Sequence, residues 1–156
     1  MNAIESAAIA RIKQVSRQEQ EKLILKHTHR DFKGSDGRSI MQNRNGASCT
    51  VDVSCLSEQE FEEKLNSAAR KERAERTRDL VDAVVQRHGA PKLPEGYRQQ
   101  WCTDLAAARD LFAENGILAD WPEMAPHRAA IAADIDKEIH REQQALESSG
   151  PATLER

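Results

Sequence analysis

Leu56-Ser57-Glu58-Gln59-Glu60-Phe61 is the best-defined helix start in the sequence. Ser57 is an N-cap residue, and Glu60 three positions on completes a capping box. Leu56 and Phe61 make the matching hydrophobic staple. Downstream, Phe61, Leu65 and Ala68 form one apolar edge, and Leu80, Val84 and Val85 form another. Gly89 stops the helix and Pro91 follows it. A continuous helix over 58–88 would be about 46 Å long at about 1.5 Å per residue. Its middle, Lys71 to Asp79, is almost wholly charged, which predicts either exposure or a break there.

Working upstream from this start, the side chains alternate. Cys49, Val51, Val53 and Cys55 point one way, and Ser48, Thr50, Asp52 and Ser54 the other. Asn45-Gly46 is a two-residue type I′ turn signal, because both positions tolerate positive φ. Ser39-Ile40-Met41-Gln42-Asn43 supplies a partner strand, and the register sets Ile40 opposite Val51. One antiparallel β-hairpin over about 38–55 is the expectation. A lone hairpin is marginally stable, so it must lie on a helix, gain a third strand, or pair across a dimer.

The remaining segments read as helices. Ile4, Ala8, Ile12 and Val15 line a first helix from Asn2 to Lys26, with a polar run, Ser16 to Lys22, where it breaks or projects into solvent. Tyr97, Trp101, Leu105, Ala108 and Phe112 form the cleanest amphipathic stripe, closed by Asn115-Gly116. The last helix starts near Pro126, lines up Ile131, Ile135, Ile139 and Leu146, and ends at Gly150-Pro151. The helices over 97–115 and 126–148 are expected to pack as an antiparallel pair. The class read from the sequence is α+β, mainly helical, with about four helices and one antiparallel β-hairpin. Residues 1–150 form a single helical domain with the hairpin inserted, and 151–156 a frayed tail.

Composition narrows the function. Of 156 residues, 38% are hydrophobic, 4% aromatic and 31% charged. A chain this polar builds a thin core or surfaces that a partner completes. The net charge of −3 argues against a globally basic nucleic-acid binder. No apolar run approaches a membrane span. Met1-Asn2-Ala3-Ile4-Glu5 lacks the layout of a signal peptide, so a cytoplasmic location is expected. Cys49, Cys55 and Cys102 are expected to be free thiols. On one strand, Cys49 and Cys55 would stand about 20 Å apart, too far to bridge, and no close pair has zinc spacing.

His27-Thr28-His29, with Asp31 nearby, gathers metal-type ligands, but it lacks the H-E-x-x-H layout. Helix-end histidines at the negative end of the dipole are the simpler reading, so no metal or cofactor is expected. His88 reads as another helix-end histidine, and His127 and His140 share no obvious face. Cys102 would be a nucleophile only with a histidine beside it in the fold. No G-x-S-x-G, phosphate loop or G-x-G-x-x-G is present, and an enzyme is not expected. The sharpest feature is the run holding Arg70, Lys71, Arg73, Arg76 and Arg78. It is a phosphate-contacting stripe, a solvated face laced with ion pairs such as Glu72 to Arg76, or an arginine-rich protein-docking surface. Trp121, beside Pro122, plugs a core edge or anchors an interface.

His29-Arg30-Asp31-Phe32-Lys33-Gly34, then Asp36-Gly37-Arg38-Ser39-Ile40, then a glycine turn and a strand ending at Leu56, form one segment. Residues 27–56 thereby resemble small uncharacterised accessory proteins of bacterial mobile genetic elements. Cys49, Asp52 and Cys55 depart from the more apolar, threonine-rich strand expected of that group, which carries over no catalytic residues. The resemblance implies an accessory protein of a phage, plasmid or integrative element. The leading expectation is a non-enzymatic protein-binding module, an inhibitor of a host defence complex of the anti-CRISPR kind. The alternative is a nucleic-acid-binding regulator using the basic helix stripe. A third reading is an enzyme or metalloprotein built on His27, His29 and Asp31. Contacts are expected through Arg70, Lys71, Arg73, Arg76, Arg78 and Trp121. The partner is another protein, or nucleic acid in the alternative, with no membrane and with a homodimer through the hairpin edge as a further option.

Overall fold

The computed structural model describes residues 3–28, 39–44, 47–113 and 116–154, with side chains for 3–27, 53–113 and 116–148. The chain divides into two compact units, residues 9–73, and residues 1–8 with 74–156. The α+β class is corrected. Among residues with described side chains, 76% are helical and none lies in a strand. The described residues hold six α-helices rather than four. The backbones of β1 (Ser39–Arg44) and β2 (Ala47–Asp52) pair antiparallel, with Ile40 opposite Val51. Val53–Cys55, read as the end of a strand, is a 3-10 turn.

In residues 9–73, the expected single first helix is two: α1 (Ala3–Lys13) and α2 (Arg17–Thr28). The break falls at the start of the polar run. Ser16 Oγ accepts the Glu19 amide at 3.2 Å, capping α2, and Gln20 Nε2 donates to the Lys13 carbonyl at 2.8 Å. α3 (Glu58–Arg87) then begins as the sequence indicates. Ser57 Oγ accepts the Glu60 amide and Glu60 Oε1 accepts the Ser57 amide, both at 3.1 Å. Leu56 and Phe61 of the staple join Ile24, Val53, Leu65 and Ala68 in one core cluster, while Ile9 and Ile12 pack with Ala69. The Arg17 guanidinium stands 3.4 Å from the Phe61 ring centre, a cation–π contact.

α3 is continuous through its charged middle. The middle is neither broken nor wholly exposed, because Glu72, Arg73 and Thr77 are buried. Gly89 follows the helix in the left-handed region, at φ 70°, and the Ala90 amide closes the turn on the Val85 carbonyl at 3.2 Å. That conformation disfavours a Cβ.

The helix expected over 97–115 is split into α4 (Glu95–Arg98) and α5 (Leu105–Leu111). Cys102 takes a positive φ of 48° between them. Its carbonyl accepts the Thr77 hydroxyl at 2.6 Å, and the Thr103 hydroxyl donates to the Glu5 carboxylate. Asp104 caps α5 by accepting the Ala106 amide at 2.9 Å. Local polar bonds thus interrupt a segment whose apolar spacing is helical. The residues still bury as that spacing indicates, with Trp101, Leu105, Ala108 and Phe112 inside. Gly116 sits where an added Cβ would collide with the backbone carbonyls of Leu111 and Asp110.

α6 (Arg128–Leu154) starts two residues after Pro126 and its backbone runs on through Gly150-Pro151, where the sequence set its end and a frayed tail. Ile131, Ile135 and Ile139 join Val81, Val84, Val85, Leu118 and Met124 in the core of this unit. α5 packs against α6, and Arg109 Nη1 reaches Asp136 Oδ1 at 2.7 Å. That bond to Asp136 holds the Arg109 guanidinium above its usual range.

Candidate functional site

Phe61, Leu65, Ala68 and Glu72 follow one another along α3 at steps of four, three and four. The last of these positions is a carboxylate where the stripe calls for an apolar side chain. A carboxylate withdrawn from water needs charged or hydrogen-bonding partners, and α2 supplies them. The His27 ring, 1% exposed, bonds through Nε2 to Glu72 Oε1 at 2.8 Å. Lys26 Nζ reaches the same oxygen at 2.8 Å, and Lys71 Nζ lies 3.5 Å from the His27 carbonyl. The carboxylate is an acceptor, so Nε2 carries the donated hydrogen. His27 Nδ1 is buried with no hydrogen-bond partner, which an imidazole endures more cheaply as a bare acceptor than as an unpaired N–H.

The imidazole and the carboxylate suggest a metal by residue type. The arrangement does not fit a resident ion. Nε2 is spent on the carboxylate, and the Lys26 ammonium already supplies positive charge at the oxygen a metal would take. A metal-bound imidazole also needs an acceptor for its other ring nitrogen, and Nδ1 has none. The cluster reads as a polar node locking α2 onto α3. His27 is a helix-end histidine, in the last turn of α2, and a buried one. His29 and Asp31, its expected companions, lie outside the described residues.

The basic run is dispersed by the helix that carries it. Arg73 is buried, and Arg78 Nη2 pairs with Asp79 Oδ1 at 3.2 Å. Arg70, Lys71 and Arg76 are exposed. At about 100° per residue, Arg76 lies about 120° around the axis from Arg70 and about 140° from Lys71. These three cations share no face on which a phosphate backbone could lie.

The other polar residues singled out in the sequence serve residues 74–156. Trp121 is half-buried against the core and stacks on Tyr97, ring centres 6.4 Å apart. Cys102 is exposed. His88 Nε2 meets Asp134 Oδ2 on α6 at 2.6 Å, and Arg87 Nη2 reaches the same oxygen at 3.3 Å. His140 Nδ1 bonds the Asp136 carbonyl within its own helix at 2.9 Å. A groove of about 520 Å³ is lined by Asp82, Val85, Gln86, Gly89, Ala90 and Lys92, but Asp82 is already engaged by Arg98 Nη2 at 2.6 Å.

The hydrogen bond from His88, with Arg87 beside it, holds the Asp134 carboxyl below its ordinary value of 3.8. A depressed carboxyl adds stability above its unfolded value, and that stability is lost as pH falls through the folded one. Asp134→Asn removes the linkage. Melting temperature followed from neutral pH to below pH 3.8 should fall more steeply for the parent chain than for the variant. Parallel curves would show that Asp134 contributes nothing in acid.

No helix among the described residues is long and apolar enough to cross a membrane. Comparison with protein-family models, with curated proteins and with solved structures finds no match.

Proposed function

We propose that this chain is a non-enzymatic protein-binding module, an accessory protein of a mobile element that inhibits a host defence complex in the manner of an anti-CRISPR. The observation that carries the binding reading is the far half of α6. Among its described side chains the last buried one is Ile139, and none of residues 140–148 is buried, although the helix continues to Leu154. An isolated helical segment gains little in water without tertiary packing, and an amphipathic helix laid into a partner's groove is a common mode of protein recognition. Ile139, Glu142 and Leu146 continue the spacing of the buried stripe, with Glu142 and Leu146 only half-buried. The inhibitor part of the reading rests on the resemblance of residues 27–56.

The test is affinity capture from bacterial lysate with and without nuclease, using the full chain and a version ending at His140. A stoichiometric protein that survives nuclease and is lost with the shortened chain is the expected result, the two melting temperatures agreeing. Retention of that protein by the shortened chain, or recovery that vanishes with nuclease, would overturn the reading.

A further inference from the structure

No further inference is drawn: the strongest candidate, the buried His27–Glu72 cluster joining α2 to α3, belongs to the site already described, and its carboxylate oxygen is already shared by the His27 imidazole and the Lys26 ammonium.

Discussion

Phe112→Ala should lower the unfolding free energy by about 3–5 kcal/mol. The side chain is 1% exposed and belongs to the cluster of Leu105, Ala108, Leu118, Met124 and Ile131. Truncation removes its transfer free energy and leaves a void that the neighbours fill only in part. Phe112 is also the C-cap residue of α5, its amide donating to the Arg109 carbonyl, but alanine keeps that bond, so the loss reports packing alone. Domains of this size are stable by only about 5–15 kcal/mol, which makes the change a large share of the whole. Urea denaturation followed by circular dichroism measures it. A loss below about 1 kcal/mol would mean that the site collapses freely or that the ring is not enclosed.

Glu72→Ala should destabilise residues 9–73 by about 1–3 kcal/mol, since it strands the buried Nε2–H of His27. Lys26→Ala provides the contrast. Lys26 touches the same carboxylate oxygen, yet its side chain is 50% exposed against 1% for His27. An ion pair that wet is worth about 0–1 kcal/mol. The pair of variants therefore separates a buried hydrogen bond from a solvated ion pair at one acceptor. Equal losses would contradict the division, and a negligible loss in Glu72→Ala would show that water reaches the node. Thermal unfolding, read at the same pH for both, decides it.

Much of the helical framework was legible because it rests on local chemistry. The capping box at Ser57 and Glu60 forms, and the spacing from Trp101 to Phe112 correctly marks the buried residues. Continuity was harder to read, since it depends on competition from side chains. Ser16 and Asp104 each cap a new helix inside a segment whose apolar pattern suggests one. The strand reading ran too far, because the alternation of side chains continues past Asp52, where the backbone leaves the strand. Val53 is fully buried, but from a 3-10 turn.

The polar node was hidden for a related reason. In sequence, Glu72 sits among charges and looks solvated. Its stripe position, four residues beyond Ala68, was the available signal, and its partners come from some 45 residues away. The basic run takes a different form on its helix. Five cations in a short stretch look like a stripe when written on a line, yet a helix spreads neighbours around its axis and here buries Arg73.

Two glycines lie on opposite sides of a distinction that a library of variants would reveal. At Gly96 nothing lies within 4 Å of an added Cβ, whereas at Gly116 the nearest atoms are main-chain carbonyls that cannot swing aside. Selecting folded members from saturation mutagenesis should leave position 96 populated by many residue types and position 116 by glycine alone. The turn into the Ile117–Asp120 segment thus acts on the gene as a single-letter constraint, imposed by where the backbone runs rather than by what glycine does.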